Sequence, residues 1–492
     1  FGVDSLTGNW DYRESALFGY AAGRVIESFY RFNLEPSDKV VAQFHEWMTG
    51  SGLLYLKSAK VPVATVFTTH ATVIGRCIAG NYLPLYDGIL NYNADEMARR
   101  FNVVARHSLE KKAAQNSDIF TTVSDITAQE CRQFLGRAVD VVTPNGFEPS
   151  FTPATDEEYE QQRDAARARL VEVASAMSGE EIPENAVLVG IGGRYEWKNK
   201  GIDVFIDALD KLNRSDFKGK SVHAFIMIPS GHNGPDKQLL AKLSGSGSNY
   251  VTRTSHYLMD PEYDNVTRRL NELGLNNSVS DKVKVYFVPS YLNGNDGIFN
   301  MPYYDMLAGV DLTIFASYYE PWGYTPLESV AYGVPTVTTT LAGFGMWVAK
   351  QAEHKGVDIV RRDDYNTREV VLQITDILKH YMDMNAEEYA EARKGAMEIS
   401  NTALWKRLFK EYKQAYEEAI DNSVSRTNRV LIDGGDRSEQ INFVRQQLTS
   451  NRPSWHRLMV EKGIPARLKA LEELSRNLWW CWTVAARDLF ES

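Results

Sequence analysis

Apolar residues recur at helical spacing over residues 15–30, at Leu17, Ala21, Val25 and Phe29. The pattern then changes to short continuous apolar runs: Val40–Phe44, Val61–Phe67, Asp118–Val123 and Val139–Thr143. Each run ends in a polar or Gly-containing stretch and reads as a buried strand. A charged, Ala-rich segment at 155–185 predicts a helical connector. A second series of runs follows at Val187–Ile191, Val222–Ile228, Val283–Val288, Asp311–Ala316 and Val357–Val360. Between the first two of these, Ile202, Phe205, Ile206, Leu209 and Leu212 share one helical face. Residues 231–280 are polar and Gly/Ser-rich, an insertion with a helix around 261–273. Residues 386–420 predict a long helical stretch containing Trp405, and 421–450 a polar linker. Strands alternating with helices predict α/β architecture with parallel, doubly wound sheets.

Composition adds limits. The chain has 492 residues, 43% hydrophobic and 24% charged, enough for two or three domains with sizeable cores. A net charge of −10 makes it a poor nonspecific binder of nucleic acid. Cys77, Cys131 and Cys481 are far apart and not at metal-type spacing, which fits free thiols in a reducing, cytoplasmic compartment. No run of eighteen apolar residues occurs, so no membrane partner is expected. The chain starts at Phe1 without a signal-like stretch and reads as a fragment of something longer.

Candidate chemistry concentrates in Tyr318-Tyr319-Glu320-Pro321-Trp322-Gly323-Tyr324-Thr325-Pro326-Leu327-Glu328. Glu320 follows the strand at 311–316, and Glu328 falls in a helix opened by Pro326. Ligands of open α/β sheets bind at such strand-end loops. Two glutamates at this spacing could equally be an acid and a base or a solvated acidic face, but the aromatic, Pro and Gly surroundings are a poor solvated face. The amides around Gly323, Tyr324 and Thr325 precede a helix and suit phosphate oxygens. Another strand-end loop, Gly192-Gly193-Arg194-Tyr195-Glu196-Trp197-Lys198-Asn199-Lys200-Gly201, offers Arg194 and Lys200 to neutralise an anion. No Asp-x-Asp motif is present, and no metal or other cofactor is expected.

The Tyr-Tyr-Glu-Pro-Trp-Gly-Tyr-Thr-Pro string, followed by Ala342-Gly343-Phe344-Gly345, resembles the donor-site motif of retaining glycosyltransferases with two Rossmann-like domains. Within that group it is similar to the animal and fungal type of glycogen synthase. Phe44-His45-Glu46-Trp47, Phe67-Thr68-Thr69-His70-Ala71-Thr72, Phe120-Thr121-Thr122-Val123-Ser124 and Thr143-Pro144-Asn145-Gly146 appear in that family's order, so the resemblance runs from about residue 9 to about 415. It implies two Rossmann-like domains facing a cleft, the GT-B arrangement. Residues 1–152 would be the acceptor-side domain, and 153–420 the nucleotide-sugar domain, ending in a helix that crosses back. The family's Lys-x-Gly-Gly loop occurs nowhere in the chain, so the first domain is expected to be incomplete, its first strand lying upstream of Phe1.

The resemblance also implies chemistry. Glucose would pass from a nucleotide-sugar, UDP-glucose rather than ADP-glucose, to the 4-hydroxyl of an α-1,4-glucan such as glycogen. Configuration would be retained by same-side attack without a divalent ion. By resemblance, Arg194 and Lys200 bind the diphosphate, Glu320 lies at the donor glucose, and Glu328 binds the ribose. Tyr303 matches a tyrosine that stacks on the uracil ring, although Tyr304 beside it could take that place. His70, Arg76 and Asn145 match residues at the donor sugar and phosphates. Lys406, Arg407, Lys410 and Lys413 read as a solvated basic face, not as a glucose 6-phosphate sensor. The short insertion leaves a homo-oligomer open.

Residues 451–492 contain Asn477-Leu478-Trp479-Trp480-Cys481-Trp482, which resembles the amino-terminal segment of bacterial α-glucan phosphorylases and predicts the start of a fused module. An amphipathic helix capping the first part is the alternative. Two other functions compete with glucan elongation: a related hexosyltransferase with another acceptor, and a non-catalytic chain that binds nucleotide-sugar or glucan.

Overall fold

The computed structural model describes residues 1–34, 38–351 and 354–433. These form two compact units. The first comprises residues 1–78, 88–144 and those from Phe409 on; the second comprises 79–87 and 145–408.

The first unit holds four parallel strands, β1 (Val41–His45), β2 (Ala64–Thr69), β3 (Ile119–Thr122) and β4 (Val141–Val142), in that spatial order. Phe44, Phe67 and Phe120 are in register across three of them, and all are buried. This face packs against Leu53, Leu56, Leu109 and Ala113 from helices Glu46–Ser58 and Val104–Asn116. The alternate positions, Ala64, Val66, Ile119 and Val141, point to the other face. There they meet Ala415 and Ala419 of helix Trp405–Asp433. A parallel sheet needs cover on both faces, and the chain supplies it from two distant segments.

The second unit contains β5 (Val187–Gly192), β6 (Val222–Met227), β7 (His232–Pro235), β8 (His256–Leu258), β9 (Val283–Val288), β10 (Leu312–Ile314), β11 (Thr336–Thr339) and β12 (Val357–Val360). Six of these form a parallel sheet ordered β12-β11-β10-β5-β6-β9. The chain enters at β5, moves outward through β6 and β9, then returns to β10 on the other side of β5. That reversal makes the β5/β10 boundary the switch point, where ligand sites form in such sheets. Val189 and Ile191 pack with helices Ile202–Asn213 and Thr367–Asp383, whereas Leu188 packs with Leu170 and Met177 of helix Asp156–Ser178. β7 and β8 pair antiparallel within the polar insertion, beside helices Lys237–Leu243 and Asn265–Leu273.

Three features depart from the sequence pattern. The 386–420 stretch is two helices, Ala386–Thr402 and Trp405–Asp433. They break where Phe147 N–H donates to the Ala403 carbonyl and Trp405 N–H to the Phe147 carbonyl. The polar segment expected as a linker from 421 is helical as far as Asp433. The division between units falls at Pro144/Asn145, with Ala79–Asp87 joining the second unit. The rest of the linker and the 451–492 segment lie outside the described residues. Among the described residues, no helix is long and apolar enough to cross a membrane.

Candidate functional site

The β5 and β10 strand-end loops are joined by backbone contacts. Gly201 has φ +71°, and a methyl group there would lie 2.1 Å from the Ala316 carbonyl oxygen. Only glycine permits that approach at that backbone angle. The Asn199 carbonyl accepts the N–H groups of Tyr318 (2.9 Å) and Tyr319 (3.2 Å). The buried Arg362 guanidinium donates to the Ala316 carbonyl. Further along, the Glu320 carbonyl accepts Gly343 N–H at 3.0 Å and the Trp322 carbonyl accepts Phe344 N–H at 2.7 Å. The Ala342–Gly345 stretch is thus a brace for the Glu320 loop. Trp322 is buried with Phe344 and Trp347 around it. Gly323, at φ +112°, turns the chain into helix Tyr324–Ala331, whose first amides have no intrahelical partner.

The expected side chains of this unit converge here. Lys200 Nζ forms an ion pair with the Glu320 carboxylate, both side chains being largely buried. Arg194 is two-thirds exposed and pairs with Glu196 at 2.8 Å. Glu328 lies one turn into the helix, and its Oε1 accepts the Tyr304 hydroxyl at 2.9 Å. Burial raises the Glu328 carboxyl above the ordinary range, and the Tyr304 hydrogen bond opposes this. Tyr303 lies against the end of β5, where a methyl at Gly192 would be 2.7 Å from its ring. Its hydroxyl is buried without a partner, as are Asn199 Oδ1 and Trp322 Nε1. Tyr304, in contrast, is exposed and stacks on Tyr332 with centroids 6.0 Å apart. Buried polar atoms without partners are rare in folded proteins, and three surround this switch point.

In the first unit, His70 follows β2 directly. Its Nε2 lies 2.9 Å from His45 Nδ1, and the two rings stack at 5.2 Å. Burial, reinforced by His45, pushes the His70 imidazole down to about 4, so it is neutral near pH 7. Arg76 is exposed on helix Val73–Gly80. Asn145 is buried and belongs to the second unit, not the first.

Sequence reasoning missed several polar contacts. Asp364 accepts the N–H groups of Leu85, Tyr86 and Asp87 together with the Tyr318 hydroxyl, two residues before Glu320. Glu46 was visible only as part of a strand-end string, yet its carboxylate accepts the His70 and Ala71 N–H groups. Glu110 is fully buried. A clue was available there: its i+3 and i+4 neighbours are Ala113 and Ala114, so it falls on an apolar helical face.

Comparison with known proteins follows this geometry. The glycogen synthase family model matches residues 5–244 and 237–473. Residues 464–492 match a family described as a protein of unknown function, DUF3417. The chain is 31% identical over 481 residues to glycogen [starch] synthase of Dictyostelium discoideum, covering 85% of this chain and 54% of that one. It is 30% identical over 504 residues to glycogen [starch] synthase isoform 2 of Saccharomyces cerevisiae, covering 88% and 71% respectively. The chain thus spans about half the length of the first relative. Among solved structures, the catalytic domain of starch synthase IV from Arabidopsis thaliana, bound to ADP and acarbose, superposes with a TM-score of 0.51 at 16% identity, over 84% of this chain and 78% of that one. The N-terminal domain of Candida albicans trehalose-6-phosphate phosphatase gives 0.53 at 12% identity, over 85% and 76%. These likenesses place the fold with the GT-B glycosyltransferases. With a family model matching most of its length, and a yeast relative 30% identical over 71% of that relative's length, the chain belongs to the glycogen synthase family.

Proposed function

We propose that the chain is a retaining glucosyltransferase that moves glucose from a nucleotide-sugar to the non-reducing 4-hydroxyl of an α-1,4-glucan. The observation that carries this reading is the Lys200–Glu320 pair at the β5/β10 switch point, beside the helix that bears Glu328. A donor diphosphate would take Lys200 and Arg194 as counter-charges and the amides at Gly323, Tyr324 and Thr325 as hydrogen-bond donors. Drawing Lys200 toward phosphate releases Glu320 to face the positive charge that develops on the departing sugar. Glu328 would bind the ribose, and Tyr303 the base. His70, neutral near pH 7, suits a sugar hydroxyl, and the guanidinium of Arg76 suits phosphate. Asn145 would bind the donor as well. In same-side attack the glycosidic phosphate bond breaks as the acceptor oxygen bonds to the anomeric carbon. The acceptor's proton passes to the departing phosphate oxygen, so no enzyme base is consumed.

UDP-glucose is favoured over ADP-glucose by the motif resemblance. A reducing, cytoplasmic setting agrees with Cys131, a buried free thiol. We also read residues from 451 on as the start of a phosphorylase-like module, in the same place as the match at 464–492. A non-catalytic, ligand-binding role is favoured by one observation, the absence of a Lys-x-Gly-Gly sequence. The test is to incubate the protein with radiolabelled UDP-glucose or ADP-glucose and glycogen, and to titrate UDP by calorimetry. Label in glycogen that depends on Glu320 supports the transferase. UDP binding without label transfer from either donor would establish the binding role instead.

A further inference from the structure

The loop leaving β2 runs through His70, Ala71 and Thr72 into helix Val73–Gly80. Glutamates from three other helices end on it. Glu46 Oε1 accepts the N–H groups of His70 at 2.8 Å and Ala71 at 3.2 Å. Glu130 Oε2 accepts the Thr72 hydroxyl at 2.6 Å, and that hydroxyl accepts Gly75 N–H at 3.0 Å. Glu110 Oε2 accepts Val73 N–H at 3.0 Å, while its Oε1 is buried without a partner. Both Glu110 and Glu130 are 0% exposed. Among the described residues, no set of His, Cys, Asp or Glu side chains is placed to hold a metal ion, so a bound cation does not account for these acids.

Backbone geometry singles out Glu46. Its φ is +65°, a left-handed angle that a residue with a Cβ avoids. Such an angle persists where surrounding contacts over-determine it. Here the turn lets two adjacent residues grip His70 at both ends. The Glu46 carboxylate holds its backbone N–H, and the His45 ring reaches its imidazole.

We propose that Glu46 is a positioning residue for His70, forming with His45 a clamp that sets the imidazole, while Glu110 and Glu130 lock the residues that follow. The part of this inference that concerns catalysis rests on the transferase reading above. The charged and titratable groups around Glu46 are His45, His70, Arg76, Glu110, Glu130 and Cys131.

The test uses the protein labelled with 15N in its histidine rings, read by NMR titration, alongside donor kinetics. Glu46→Ala should shift the His70 ring resonances, because the hold on its backbone N–H is lost. Transfer should lose about tenfold or more in kcat, as small misplacements do, with donor KM changing less than about threefold. Glu46→Gln, whose amide oxygen accepts the same two N–H groups, should restore most of both. Unmoved His70 ring resonances in a folded Glu46→Ala protein overturn the clamp. Should that variant not fold, Glu46→Asp, which draws the carboxylate back by one methylene, is read by the same titration. A His70 shift in Glu46→Ala, beside a wild type that transfers no glucose, would leave the clamp standing and remove only its catalytic role.

Discussion

Two strand-end loops in this chain are fixed by opposite means. The β10 loop is held mainly by backbone contacts at Asn199, Glu320 and Trp322, with Arg362 and Asp364 adding side-chain contacts to the Ala316 carbonyl and the Tyr318 hydroxyl. Its charged side chains pair locally, Lys200 with Glu320 and Glu328 with Tyr304. The β2 loop is held by side chains, three glutamates gripping its amides and one hydroxyl. The first leans mainly on backbone groups, which do not titrate, and leaves Lys200 and Glu320 ready to exchange partners. The second ties geometry to the protonation of buried carboxyls.

The largest effect expected from breaking this arrangement is at Glu320. Glu320→Ala leaves the backbone brace intact, since only the Glu320 carbonyl takes part in it. Transfer to glycogen should fall by about 10²–10³ in kcat, the scale of a lost transition-state contact, while UDP affinity by calorimetry stays within about threefold. A rate within about threefold of wild type would remove Glu320 from the reaction. Next is the brace itself. Gly201→Ala forces a methyl against the Ala316 carbonyl at a left-handed angle. It should destabilise the fold by about 1–3 kcal/mol in denaturant titration. An unchanged midpoint would show that the two loops are not locked at this point.

These contrasts also explain what was legible in the sequence. Apart from β11, both sheets could be read from their apolar runs, because those strands outside the insertion are short and buried on at least one face; β11, with Val337 among three threonines, carries no such run. Glu320 in a loop and Glu328 in the following helix were also legible, since Pro and Gly mark that turn locally. The pairing of Lys200 with Glu320 was not. It depends on β10 returning beside β5, a reversal that no local pattern encodes. The β2 loop hid its support more fully. Glu110 sits among Lys111 and Lys112 in the sequence, and charge of that kind reads as solvated surface. The helix break at Ala403–Leu404 was lost for a similar reason: it is made by contact with Phe147, far away in the chain.

The third prediction concerns pH and the β2 loop. Burial raises the Glu110 carboxyl well above its ordinary value of 4.5, with Glu46 and Glu130 adding to the shift. Over the window between that value and the raised one, the folded chain binds more protons than the unfolded chain. Stability therefore falls as pH rises through the window. Glu110→Gln keeps an acceptor for Val73 N–H and cannot ionise. Its melting temperature should equal that of wild type near pH 4.5 and exceed it increasingly at higher pH. Parallel pH curves for the two proteins would show that Glu110 does not titrate across that range.

The smallest effect concerns one side-chain hydrogen bond in the second unit. Tyr304 donates to Glu328 Oε1 and holds the carboxyl down against the upward push of burial. Tyr304→Phe removes that bond and no backbone contact of the brace. A hydrogen bond of this kind contributes about 1 kcal/mol, so UDP affinity should weaken by roughly fivefold. Direction distinguishes two arrangements. If Tyr304 competed with ribose for Glu328, the variant would bind UDP more tightly. If it orients Glu328 and keeps it ionised, the variant binds more weakly, and the loss grows toward acid, where an untethered carboxyl takes up its proton sooner. The second is expected, because a carboxylate has a second oxygen left for ribose while its charge depends on the bond. Calorimetry at two pH values, one at about 8 and one nearer the ordinary carboxylate range, decides between them. A loss that is equal at both would limit Tyr304 to orientation alone.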